Sequence, residues 1–306
     1  MVFSNLGTES DTQSSPDKSG RVSGSRLTGR LMLPLAMIGA LLGLAPSGVS
    51  AQDWDDPIPC SVPNSLNTFN SPLAGLAQAV ERNRVIRVIA LGSSSTEGTG
   101  ASTKLAAYPE RFDREMDRLF PGKDFQVTNL GRGGELAEHM LVRLQRDVIP
   151  QRPALVLWQT GVNDVISGVD LKAFQITLEA GIAALKAANI EVVLIDPQFY
   201  PRSITVPHYE KYVSTMHAIA EAHRVPVFRR YAIMKYLLAS GQHSVDKFFW
   251  KDKFHLNDLS YGCMAELMAV ALKERLQHRD PVVAGTVQRA SATQSVTTTN
   301  RFLTDF

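Results

Sequence analysis

Val85-Ile86-Arg87-Val88-Ile89-Ala90-Leu91-Gly92-Ser93-Ser94-Ser95-Thr96-Glu97-Gly98 is the stretch that decides the fold class. An apolar run of strand length stops at a glycine and gives way to a cluster of hydroxyls. Near-continuous apolar character belongs to a strand covered on both faces. Residues 125–130, 154–158, 190–195 and 225–228 repeat it. Between these runs the apolar residues fall at helical spacing, over residues 108–120, 135–148, 171–188 and 208–223. Residues 71–83 and 258–276 have the same spacing outside them. Strand and helix in alternation predict an α/β fold, a three-layer α/β/α sandwich around a parallel sheet of about five strands. Right-handed crossovers and that strand number point to the flavodoxin-like order. In such sheets ligands bind at the carboxyl ends of the strands.

The strand ends carry four short groups of residues. Gly92-Ser93-Ser94-Ser95 follows the first strand. Taken alone it reads as a serine-rich helix cap. It lacks the G-K-[ST] of a phosphate-binding loop and the G-x-G-x-x-G of a dinucleotide site. Asn129-Leu130-Gly131-Arg132-Gly133-Gly134 follows the second strand, and its glycines allow backbone amides to approach a ligand. Gly161-Val162-Asn163-Asp164 follows the third, and an asparagine amide is a donor suited to a developing oxyanion. Asp252-Lys253-Phe254-His255 lies near the end, with an imidazole that titrates near neutrality and a carboxylate to orient it. His139, His217 and His223 sit inside helical patterns and fit a general base less well.

Each group is a weak signal by itself. Together, in this order, they resemble the blocks of the SGNH (GDSL-like esterase/lipase) hydrolase family over residues 84–277. The resemblance implies an SGNH hydrolase fold and a serine carboxylic ester hydrolase. It assigns the nucleophile to Ser94 and the triad's acid and base to Asp252 and His255. It assigns an oxyanion hole to the N–H groups of Ser94 and Gly131 and to the side chain of Asn163. Ser93 departs from the family, which has aspartate there, and that leaves the shape of the nucleophile turn open. The three consecutive serines also compete for the role. The register of Thr96-Glu97-Gly98 favours Ser94. The chemistry calls for no metal and no organic cofactor. The expected substrate is an ester, with short acyl (O-acetyl) groups on a glycan as first choice. A lipase or lysophospholipase activity and a non-catalytic sugar-binding module are the alternatives. Arg132, Phe199, Tyr200 and Trp250 are expected near the rim.

The bulk numbers fit a globular enzyme: 306 residues, 44% apolar and 20% charged. A net charge of +2 gives no electrostatic reason to expect nucleic acid as partner. Lys18, Arg21, Arg26 and Arg30 precede an apolar run over residues 31–44, followed by small residues ending in Val49-Ser50-Ala51. That pattern predicts a signal peptide over residues 1–51, cut after Ala51, and an exported protein; an uncleaved anchor is the rival reading. Residues 52–83 read as a lead-in with one helix, 84–278 as the hydrolase domain and 279–306 as a disordered tail. Cys60 and Cys263 read either as a disulfide made after export or as two unrelated thiols.

Overall fold

In the computed structural model the described residues are 60–278. The chain divides into two units, Met1–Trp54 and Asp55–Phe306, and every described residue belongs to the second. The expected signal peptide, the first residues of the lead-in and the expected disordered tail lie outside the described residues.

The five expected strands form one sheet. They are β1 (Val85–Gly92), β2 (Asp124–Gly131), β3 (Leu155–Gln159), β4 (Glu191–Ile195) and β5 (Val227–Phe228). Their order is β2-β1-β3-β4-β5 and every pairing is parallel. The expectation of a flavodoxin-like sheet is met. The chain steps outward from β1 to β2 and then returns to place β3 on the other side of β1. The carboxyl ends of β1 and β3 therefore flank the point where the winding reverses, which is where a ligand crevice forms. All five residues of β3 are buried, as a central strand covered on both faces requires. The edge strand β5 is shorter than expected, because Pro226 has no N–H to give to the ladder.

The helices are α1 (Ala74–Arg82), α2 (Ser94–Glu97), α3 (Tyr108–Leu119), α4 (Ala137–Arg143), α5 (Val162–Ile166), α6 (Leu171–Ala187), α7 (Tyr209–Ala222), α8 (Arg230–Ala239), α9 (Val245–Phe248) and α10 (Asp258–Gln277). The longer ones match the helical patterns of the sequence within a few residues. Two differences have local causes. Helix α4 begins after Glu135 and Leu136, which the glycine loop uses, and it continues as a π-helical turn over Leu144–Val148. Helix α8 has no counterpart among the expected helices. Its buried side includes Arg230, and its exposed side carries Tyr236 and Ala239 beside Lys235, so the sequence shows no clean polar stripe.

The starts of α6 and α10 are closed by side chains. Asp170 accepts from the N–H groups of Lys172 and Ala173 at the start of α6. Asn257 and Ser260 cap α10 reciprocally. Gly181 lets α6 rest on the sheet, since a Cβ there would stand 2.2 Å from the Trp158 ring. Helix α1 buries Leu76 and Val80. Cys60 and Cys263 are joined as a disulfide with Cα atoms 5.5 Å apart, tying the lead-in to α10. No helix among the described residues is long and apolar enough to cross a membrane.

Candidate active site

The three consecutive serines have three different fates. Ser93 is buried, and its N–H and Oγ–H both donate to Gln159 Oε1, at 2.9 and 3.1 Å. Ser95 is buried on the other side, with Oγ donating to Gln198 Oε1 at 2.8 Å. Ser94, between them, is half-buried and lies 3.0 Å by Oγ from His255 Nε2. The turn exits β1 at Gly92, where a Cβ would stand 2.1 Å from Thr96 Oγ1 and 2.7 Å from Gln159 Oε1. Gln159, the last residue of β3, thus holds the turn together from the neighbouring strand. Thr96 Oγ1 adds a third donor to the same oxygen at 3.1 Å. Ser94 opens α2, so its N–H has no acceptor within the helix.

The imidazole is held from its far side. His255 Nδ1 donates to Asp252 Oδ2 at 2.6 Å, which fixes the tautomer that leaves Nε2 free to accept from Ser94. The other carboxylate oxygen, Oδ1, accepts from the backbone N–H groups of Phe254 and His255 at 2.9 Å each. Burial raises the Asp252 carboxyl, but the His255 bond and the two N–H donors together hold it below its ordinary value. Lys253, inside this turn, has φ +56°, a left-handed conformation that costs a non-glycine residue stability. Asp252 spans that strained residue with its own side chain.

Gly131 corrects an expectation. Its N–H donates to Asn129 Oδ1 at 2.9 Å, so it is already committed inside the loop. What the absence of a side chain secures is approach: a Cβ on Gly131 would stand 2.0 Å from the Glu97 backbone nitrogen. The loop glycine beside Ser94 is Gly133, whose Cβ would stand 3.9 Å from Ser94 Cβ and whose N–H donates to Glu97 Oε2. Asn163, on α5, donates one Nδ2–H to the Glu135 carbonyl at 2.9 Å, leaving the second N–H of the amide. Asp164 next to it caps α4, accepting from the Ala137 N–H at 3.0 Å, and burial pushes its carboxyl up. The Gly-x-Asn-Asp group thereby fastens the glycine loop to the end of β3.

Of the four residues expected near the rim, Arg132 is exposed, and Phe199 and Trp250 are half-buried. Tyr200 is buried behind the histidine turn, its ring 4.9 Å from that of Phe254. Sequence reasoning passed over Gln159 and Gln198. Neither carries a motif, and each acts on a segment distant along the chain.

A family model for the non-GDSL lipase-like family matches residues 59–278, more than two thirds of the chain. The chain belongs to the non-GDSL lipase-like family. That placement meets the expectation of an SGNH-type hydrolase. No curated protein matches the chain. Among solved structures, a two-domain esterase active on acetylated mannans superposes with TM-score 0.59 at 19% identity, over 70% of this chain and 56% of that one. The chain thus spans little more than half of that esterase. The acetyl xylan esterase AlAXEase has TM-score 0.53 at 22% identity, over 61% of this chain and 100% of that one. A lipase/acylhydrolase from Enterococcus faecalis has TM-score 0.54 at 21% identity, over 62% and 96%. Likeness at these identities speaks for the fold.

Proposed function

We propose that the protein is an exported serine carboxylic ester hydrolase that removes short acyl groups, first of all O-acetyl groups, from carbohydrate. The observation that carries the reading is the relay Asp252 Oδ2–His255 Nδ1 at 2.6 Å and His255 Nε2–Ser94 Oγ at 3.0 Å. A hydroxyl in that arrangement is an activated nucleophile. Ser94 Oγ attacks the ester carbonyl while His255 takes its proton. The negative oxygen is held by the Ser94 N–H and an Nδ2–H of Asn163. His255 then protonates the departing alcohol. Water, deprotonated by His255, releases the acid and restores Ser94.

The glycan preference is supported by likeness to esterases whose substrates are acetylated mannan and acetyl xylan. Export is supported by the basic, apolar and small-residue pattern ending at Ala51 and by the Cys60–Cys263 disulfide. A longer acyl chain is the second reading. It is supported by likeness to a lipase/acylhydrolase from Enterococcus faecalis.

The test is hydrolysis of p-nitrophenyl acetate and p-nitrophenyl octanoate by the purified protein, Ser94→Ala and His255→Ala. Turnover of acetate above octanoate, abolished in both variants, is the expected result. Preference for octanoate would move the substrate class to lipids. Undiminished turnover by Ser94→Ala would overturn the assignment of the nucleophile.

A further inference from the structure

We propose that Gln198 is a positioning residue that sets the Ser94–His255 distance from behind, an inference that rests on the serine hydrolase reading above. Gln198 follows β4 and is fully buried. Its amide joins the nucleophile segment to the histidine segment from behind, whereas the other polar links between them, Ser102 to Asp258 and Tyr261 Oη to the Thr99 carbonyl, lie farther along both segments. Oε1 accepts from Ser95 Oγ at 2.8 Å, one residue past the nucleophile. Nε2 donates to the Phe254 carbonyl at 2.7 Å, one residue before the base. One planar amide therefore spans the backbones that carry the two reacting side chains. Its own main chain is anchored in turn, because Tyr209 Oη donates to the Gln198 carbonyl at 2.6 Å.

Three features make this bridge more than a satisfied buried polar group. The histidine turn contains a residue at φ +56°, so it stores strain and needs restraint from outside. The ring of Phe254 stands edge-on to the His255 ring with centroids 4.8 Å apart, so movement of the Phe254 carbonyl displaces the imidazole with it. Asp252 restrains the turn only against itself, through contacts two and three residues away. Gln198 ties it to the sheet and to α2. A side chain of the same length without the amide would fill the space and leave the distance uncontrolled.

The experiment compares Gln198→Met, Ser95→Ala and Ser94→Ala with the wild-type protein on p-nitrophenyl acetate. Intact sites are counted by stoichiometric reaction with a fluorophosphonate, so that kcat refers to reactive sites alone. Gln198→Met is expected to lower kcat per site by about 10- to 100-fold, the range seen when reacting groups shift by an ångström or less. KM should stay within about twofold, because acyl and alcohol binding are untouched. Ser95→Ala cuts only the upstream half of the bridge and should lower kcat less than Gln198→Met does. Wild-type kcat per site in Gln198→Met, or a loss expressed wholly in KM, would overturn the proposal. Should Gln198→Met not fold, Ser95→Ala decides, since an unchanged kcat there overturns it equally. An active Ser94→Ala would instead strike the underlying hydrolase reading.

Discussion

Asp252–His255 and Asp196–His217 are both close, hydrogen-bonded carboxylate–imidazole pairs, and in the first the other ring nitrogen meets a hydroxyl. Asp252 and His255 meet at 2.6 Å through Nδ1, and Nε2 reaches Ser94. Asp196 and His217 meet at 2.8 Å through Nε2. The burial is opposite in the two. Asp252 is one-third exposed beside a more buried His255, while Asp196 is sealed and His217 is one-third exposed. Asp196 also accepts the Tyr231 N–H through Oδ1, and its carbonyl accepts from Arg230 Nε. It is woven into the junction of β4, α7 and α8. The same two residue types thus meet a serine hydroxyl at one place and the backbone of neighbouring elements at the other. What separates them is the third partner: a hydroxyl raised on a strand exit in one case, backbone and a buried guanidinium in the other.

Substitutions sharpen that contrast. Ser94→Ala and His255→Ala should each lower kcat on p-nitrophenyl acetate by about 10⁴-fold or more, with the melting temperature little changed. Asp252→Asn should cost about 10³- to 10⁴-fold, because the amide no longer enforces the tautomer. Asn163→Ala should cost about 100-fold in kcat through loss of one oxyanion donor, measured under saturating substrate. His217→Ala should break the comparison if the two pairs share a role. The expected result is activity within about twofold of wild type and a melting temperature lower by a few degrees, since a buried carboxylate loses a partner.

The carboxylates divide in the same way as pH changes. Asp252 is held below its ordinary value, so its stabilising contribution is present above that value and is lost as pH falls through the lower one. Asp113, which accepts the Val127 N–H at 2.8 Å and serves only the fold, is pushed up by burial from 3.8 to about 6. Between those two values the folded protein holds more protons than the unfolded chain, so this residue makes stability decline as pH rises. Asp113→Asn should flatten the fall in stability over that window, read from urea midpoints at each pH. An unchanged slope would place the titration elsewhere.

The legible part of the fold was the part whose signal is local. The inner strands β1, β3 and β4 announce themselves because most of their residues are buried on both faces, and the blocks around Ser94 and Asn163 follow directly after β1 and β3. The illegible part depends on contacts between distant segments. Gln198 acts on Ser95 across 103 residues and on Phe254 across 56, and no periodicity marks it. Gln159, on the strand beside β1, accepts from the N–H and Oγ–H of Ser93 across 66 residues, and no local pattern marks it. Gly131 failed for the converse reason. Its block matched, but a side chain two residues back took the N–H. Helix α8 was missed because its exposed side carries Tyr236 and Ala239 beside Lys235 while its buried side includes Arg230, so no apolar stripe stands out.

The central claim is that only the middle of three adjacent serines is wired for attack. It is tested most directly by reacting the wild-type protein with a fluorophosphonate, in which serine oxygen displaces fluoride at phosphorus, and locating the adduct by peptide mass spectrometry. The account predicts one adduct, on Ser94, and none in His255→Ala on the same timescale. An adduct on Ser93 or Ser95, or equal labelling without His255, would contradict it.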